Sequence, residues 1–285
     1  MIKVLVGVDT SPESRVALRY VCHLLEHCDA QVEAIYVKPD VTFYLQHDFE
    51  VPFIKKKSLE EKVEEEAEEV EKQILNVCEV CLAGKVPCEP KIVTGDAAEE
   101  ILAEAQRGDY DLIVLGSHGH SALRGLLLGN VHNKILHHAR RPVLIVREMR
   151  NIHRVLVAYR GTSCDQKALE FIAPMLERKK PQITVFHVRE KALGETEEFA
   201  QKCVMEGRSS LEKFGHAPVT KVVEGDFVDE TIKEIMNEDY DLVVLGAYGH
   251  NRPKYLQIIS DEALTLVKRT MRPVLVFRDK EEHRK

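Results

Sequence analysis

The 285-residue chain repeats itself, and that duplication constrains its fold more than any single motif does. Val4-Leu5-Val6 recurs as Val155-Leu156-Val157, and Ala17-Leu18 as Ala168-Leu169, both 151 positions later; Val37 maps to Val188 at the same offset. After an insertion in the first half the offset falls to 130. Gly95-Asp96 then matches Gly225-Asp226, and Asp109-Tyr110-Asp111-Leu112-Ile113-Val114-Leu115-Gly116 matches Asp239-Tyr240-Asp241-Leu242-Val243-Val244-Leu245-Gly246 with one conservative change. Arg141-Pro142-Val143-Leu144-Ile145-Val146-Arg147 finally matches Arg272-Pro273-Val274-Leu275-Val276-Phe277-Arg278 at offset 131. Solenoid repeats run about 20–50 residues, so each copy is a whole domain, in keeping with about 100–200 residues per domain.

Within the first copy, short aliphatic runs alternate with helical patterns. Residues 2–8, 31–37, 90–94, 111–116 and 142–147 read as strands, and their nearly unbroken apolar character is that of parallel strands buried on both faces. Residues 12–27, 59–82, 97–107 and 131–139 read as helices, giving a βαβαβαβαβ order and an open parallel sheet covered on both sides. The second copy follows the same order with a shorter crossover between its second and third strands. The first-half insertion, residues 40–58, has aromatics, His and Lys without a clear period and reads as a surface loop or lid over the sheet edge.

Composition excludes several classes. With 44% apolar and 31% charged residues the chain is globular rather than disordered. Its apolar runs fall far short of the roughly 20 residues that cross a bilayer, and its N-terminus has no signal pattern, so a cytoplasmic protein without membrane contact is expected. Residues 1–150 carry 18 Lys/Arg against 25 Asp/Glu, whereas residues 151–285 are balanced at 22 each. Most of that acidity lies in Glu60 to Lys72, where eight Glu repel phosphate backbones and argue against a nucleic-acid binder. Leu59, Val63, Ala67, Val70, Ile74 and Val77 make this stretch an amphipathic helix with the glutamates on its solvated face. The seven cysteines read as reduced, buried thiols; Cys78 and Cys81, with Cys88 beyond, have no second matching pair for a metal.

In open α/β sheets ligands bind beyond the carboxyl ends of the strands, where helix N-termini present free N–H groups. The first strand ends in Asp9-Thr10-Ser11-Pro12, with Pro12 suited to open a helix. Asp9 either accepts hydrogen bonds from a ribose hydroxyl or base amino group or caps that helix. The fourth strand runs from Gly116 into Ser117-His118-Gly119-His120-Ser121-Ala122-Leu123-Arg124-Gly125-Leu126-Leu127-Leu128-Gly129-Asn130-Val131. Four glycines in fourteen residues mark a backbone that comes close to something or takes positive φ, and the helix at Gly129-Asn130-Val131 offers an anion cradle. Asn130 is also a good N-cap, which needs no ligand. His132, His137 and His138 on that helix read as surface or boundary residues.

At these residues the first copy resembles a universal stress protein domain, and the whole chain a tandem member of that family. The nucleotide-binding version of the family carries Gly, two residues, Gly, nine residues, Gly, then Ser or Thr; Gly116, Gly119 and Gly129 stand at that spacing. The resemblance implies two domains, 1–148 with the nucleotide motif and 152–279 degenerate. Each is expected to be an open parallel five-stranded α/β sheet of Rossmann-like, adenine-nucleotide α-hydrolase-like type. It further implies that Gly7, Asp9 and Val37 face adenine and ribose, while Gly116, Ser117, His118, Gly119, His120, Ser121 and Ala122 with Gly129, Asn130 and Val131 wrap ribose and phosphates. Asn130 departs from the usual hydroxyl residue, keeping a donor but adding bulk, so binding is expected to be retained and weakened. The ligand implied is ATP or AMP, with Mg2+ left open because Asp9 has no acidic cluster around it. The family's pairing through last strands implies that residues 143–146 and 274–277 join as an intramolecular pseudo-dimer, and a homodimer of chains is expected as well.

The second copy lacks this kit. Arg160 stands where Asp9 does and reads as an exposed structural arginine; Gly246 and Gly249 survive, but the third glycine falls on Ile259 or Ser260. A β-branched residue there would intrude on a phosphate. The chain has no P-loop, no His-Glu-x-x-His and no Gly-x-Ser-x-Gly. The favoured reading is a stress-response, nucleotide-responsive binding module acting through linkage with unknown protein partners. The alternatives are a ligand-free scaffold and a slow ATPase with His118 or His120 as general base.

Overall fold

A computed structural model describes residues 1–40, 56–83, 86–116, 129–248 and 259–278, with side chains of the long second helix described over residues 61–79. The first copy runs β1 (Ile2–Val8), α1 (Pro12–Leu25), β2 (Ala30–Lys38), α2 (Lys56–Ala83), β3 (Cys88–Thr94), α3 (Ala97–Arg107), β4 (Leu112–Gly116), α4 (Asn130–His138) and β5 (Val143–Val146). The second repeats it as β6 (Arg154–Ala158), α5 (Ser163–Leu176), β7 (Gln182–Arg189), α6 (Glu197–Glu212), β8 (Val219–Glu224), α7 (Phe227–Asn237), β9 (Leu242–Gly246), α8 (Asp261–Arg269) and β10 (Val274–Phe277). The α/β alternation and the parallel order of each copy are those expected. Helix α2 starts three residues earlier than its apolar spacing indicates, and α4 one residue earlier. Most of the inserted segment, residues 41–55, lies outside the described residues, as does the lid expected there.

Side chains at the strand tips start the helices. Ser11 caps α1 ahead of Pro12, Asp96 accepts from the Ala98 and Glu99 amides at 3.1 Å to start α3, and Thr162 and Asp165 form a reciprocal capping box on α5. All ten strands join one sheet in the order β3-β2-β1-β4-β5-β10-β9-β6-β7-β8. Every neighbouring pair is parallel except β5 and β10, which meet antiparallel with Val143, Leu144 and Ile145 opposite Val276, Leu275 and Val274. The last strand of each copy thereby covers the other's edge. Both faces of the sheet carry a core continuous through the two copies: Val4, Val6, Leu144, Val155 and Leu275 lie on one face, Leu5, Ile113, Ile145, Leu156 and Val274 on the other.

Two arginines reinforce the junction reciprocally. Arg147, just past β5, donates to the Val267 carbonyl of α8 at 2.9 Å. Arg278, just past β10, donates to the carbonyls of His137 at 3.2 Å and Ala139 at 2.7 Å, and to that of Leu136, at the C-terminal end of α4. Cations are stabilised where the dipole of a helix presents its negative end. Burial pushes both guanidinium pKa values down from their ordinary range. The Tyr20 hydroxyl donates to the Asp241 carbonyl at 3.1 Å, tying α1 to the second copy. The linker is held by ion pairs of Arg150 with Glu148 and Asp239 at 2.6 and 2.8 Å, and of Arg272 with the same two carboxylates at 2.9 Å each.

The cysteines differ from expectation. Cys78 in α2 and Cys88 at the start of β3 form a disulfide, because α2 packs back along β3 and brings their Cα atoms to 5.2 Å; a disulfide spans about 4.4–6.8 Å. Cys22, Cys28, Cys164 and Cys203 are free thiols, and the Cys81 side chain lies outside those described. Closing a loop this short stabilises a fold by roughly 2–3 kcal/mol. Treatment with a phosphine reductant is therefore expected to lower the thermal midpoint, and a Cys78→Ala/Cys88→Ala double variant to be insensitive to it; seven titratable thiols in the unreduced, denatured chain would contradict the bond.

Candidate functional site

The connections reverse direction between β1 and β4: from β1 the chain moves outward to β2 and β3, then returns to β4 on the other side. The crevice beyond their carboxyl ends is the topological switch point. Asp9 follows β1, Val37 lies near the end of β2, Gly116 ends β4, and Gly129 precedes α4. The structure thus brings Asp9, Val37, Gly116, Gly129, Asn130 and Val131 to one end of the sheet. Ser117, His118, Gly119, His120, Ser121 and Ala122 lie outside the described residues.

Asp9 is not the cap of α1. Ser11 is, its Oγ accepting from the Ser14 amide at 3.3 Å, and one Asp9 carboxylate oxygen accepts from the Ser11 amide at 2.9 Å and from the Ser11 hydroxyl. Among the described residues the other carboxylate oxygen accepts no hydrogen bond, and Asp9 is only partly buried. Nearby Tyr36 donates to Glu66 at 3.3 Å; burial first, then Glu66 and Asp9, push its phenol well above the ordinary range, so it remains a donor. Val37 and Val131 are partly buried against the core face that α3 and α4 cover.

The glycines divide by what they touch. A Cβ on Gly7 would meet Leu115 Cδ2 at 2.7 Å and Ile101 Cδ1 at 3.1 Å, so Gly7 serves the packing of α3 on the sheet. A Cβ on Gly116 would meet the Glu13 carbonyl oxygen at 2.6 Å and the Ser14 nitrogen at 2.8 Å, so Gly116 lets the tip of β4 pass the first turn of α1. At Gly129 the nearest described atom is His132 Nδ1 at 3.7 Å, and φ is −65°, a value open to any residue. The described fold therefore has no need of glycine there.

Gly129, not Asn130, is the N-cap of α4; among the described residues no side chain caps this helix, its first turn holds no acidic residue, and the Asn130 side chain is exposed. Its first amides are thus presented to the crevice with the positive end of the helix dipole behind them. His132, expected near the surface, is 5% exposed and bonds through Nε2 to the Gly116 carbonyl, tying the first turn of α4 to the tip of β4. Its spacing to the buried Ile135, Leu136 and Ala139 puts it on the inward stripe of the helix, a signal that sequence reasoning passed over.

The same positions in the second copy are filled. Arg160, expected to be exposed, is 5% exposed: its guanidinium donates to the carbonyls of Gly246 at 2.7 Å and Tyr248 at 2.9 Å and lies over the Phe227 ring. It spans from the end of β6 to the end of β9, and those two carbonyls take up its charge. Asp165, at the position of Ser14, accepts from the amides of Arg160, Thr162 and Gly246 at 3.0, 3.2 and 3.0 Å. The residue matching Gly129 is Ser260. Its hydroxyl accepts from the Ala263 amide at 3.2 Å, and Asp261 and Glu262 occupy the first turn of α8. An anion there would meet a capped helix and two carboxylates, rather than the intruding β-branched side chain that sequence spacing left as one alternative. Cys164 beside it is chemically quiet, its thiol pushed up to about 12 by burial and by Asp165.

A duplicated, doubly wound α/β sheet defines the class of protein. The chain belongs to the universal stress protein family, whose model matches it twice, over residues 1–147 and 151–278. It is similar to universal stress protein Slr1230 of Synechocystis sp., 30% identical over 61% of this chain and 60% of that one, and so spans less than two thirds of that relative's length. It is 30% identical to universal stress protein YxiE of Bacillus subtilis, over 51% of this chain and 98% of the relative. The crystal structure of a universal stress protein from Archaeoglobus fulgidus has the same fold along 97% of this chain and 98% of its own, with a TM-score of 0.72 at 21% identity. No described helix is long and apolar enough to cross a membrane.

The glycine contacts make a stability prediction. Gly116→Ala is expected to cost on the order of 1–3 kcal/mol through backbone overpacking, and Gly129→Ala less than about 1 kcal/mol as a poorer cap. Chemical denaturation of both variants checks the order; equal losses would contradict the division.

Proposed function

We propose that the first domain, residues 1–148, binds one adenine nucleotide, ATP or AMP, at the switch point between β1 and β4, and that the second, residues 152–279, is its ligand-free partner. The observation that carries this reading is the contrast between two matching helix ends. Ser260 and two acids complete the N-terminus of α8, whereas among the described residues no side chain caps α4, which begins at a glycine that the described fold does not require. A phosphate lying against the amides of Asn130 and Val131 would need the room a side chain at 129 takes away. The free Asp9 carboxylate oxygen suits a ribose hydroxyl or base amino group, and Val37 and Val131 suit the apolar faces of the nucleoside. Ser117, His118, Gly119, His120 and Ser121 join the site through the family resemblance. Among the described residues no cluster of three or more His, Cys, Asp or Glu is arranged to hold a metal, so no step is assigned to Mg2+.

Binding of this kind acts by linkage: nucleotide stabilises the conformation that it binds, and the surface offered to a partner shifts with that population. A homodimer of chains would use a surface other than β5 and β10, which already pair within one chain. Isothermal titration of ATP and AMP into the purified chain tests the reading. Saturable binding is expected in the wild type, with at least a hundredfold loss in Gly129→Val at a melting midpoint lowered by no more than about 4 °C. Wild-type affinity retained in Gly129→Val would defeat the proposed site.

A further inference from the structure

The phosphate-facing helix of the first domain is anchored by the second. α4 has nine residues and, among the described residues, no side-chain cap at the end that opens on the crevice. At its other end Arg278 donates to three carbonyls, those of Leu136, His137 and Ala139. This arginine is 2% exposed and follows β10, a strand paired on both sides inside the ten-stranded sheet. Tyr248 lies with its ring centre 5.9 Å from the guanidinium carbon, further limiting where the group can move.

The mirrored arrangement shows that the duplication alone does not produce such an anchor. Arg147, 7% exposed, makes one hydrogen bond to α8, and its Nε and Nη1 have no hydrogen-bond partner. α8 is fixed at its opposite end by the Ser260 cap. The uncapped helix therefore has the threefold C-terminal anchor and the capped helix the single one. His132 ties the first turn of α4 to Gly116 and Arg278 holds its last carbonyls, so the helix is fixed at both ends without a capping side chain at 129.

We propose that Arg278 is a positioning residue for the nucleotide site: through the C-terminal carbonyls of α4 it sets where the Asn130 and Val131 amides stand, so the degenerate domain contributes to phosphate binding in the other. The inference rests on the nucleotide reading given above. The effect passes through helix placement, because a nine-residue helix separates the guanidinium from the phosphate position by about 13 Å, too far for contact.

Titration of ATP and of adenosine into the full chain, wild type and Arg278→Met, tests it. The variant is expected to bind ATP at least tenfold more weakly and adenosine within twofold of wild type, with faster hydrogen exchange at residues 130–132. Unchanged ATP affinity, or equal losses for ATP and adenosine, would overturn the proposal, since general loosening of the domain would not spare adenosine. If Arg278→Met does not fold, Arg278→Lys carries the test: it keeps the charge with fewer donors and is expected to lose threefold or more for ATP alone, and unchanged ATP affinity overturns the inference. A folded wild type that binds neither ligand defeats the nucleotide reading, and this inference with it.

Discussion

The antiparallel meeting of β5 and β10 is the interaction on which the rest depends. Three residue pairs turn two five-strand sets into one sheet, remove an exposed edge from each copy, and place the C-termini of α4 and α8 within reach of the opposite domain's arginine. An isolated copy would present β5 or β10 as a free, wholly apolar edge, Val143 to Val146 or Val274 to Phe277, of the kind prone to association. The junction also makes both faces of the core continuous, so neither domain has a hydrophobic interior of its own to reorganise independently.

Joining the copies in one chain lets them diverge. A pair of identical domains must carry the same residues at both switch points, whereas a duplicated sequence can leave one open and fill the other. Here the divergence is chemically coherent. Asp9 becomes Arg160, Ser14 becomes Asp165 and Gly129 becomes Ser260, and the three replacements bond to carbonyls and amides of the second copy itself.

Much of the architecture was legible because buried parallel strands are short apolar runs and the duplication supplies each twice. The matched Arg147 and Arg278 were visible as a repeat, but their crossing to the other domain depends on antiparallel pairing, which strand composition does not encode. Arg160 and His132 were misread for a common reason: a polar side chain is buried when specific carbonyls await it, and Gly246, Tyr248 and Gly116 supply these only in three dimensions. The Cys78–Cys88 bond likewise arises from α2 returning along β3, which brings together two cysteines ten residues apart in sequence. At the site, Asp9 and the spacing of Gly116 and Gly129 could be read directly, but which glycine serves packing and which leaves room for something else required the neighbours of each.

The central claim is that one chain carries one working crevice and one that its own residues close. Native mass spectrometry of the intact chain incubated with excess ATP counts them directly. The account predicts a single added nucleotide mass per chain, lost in Gly129→Val. Two added masses, or none at any ATP concentration, would contradict it.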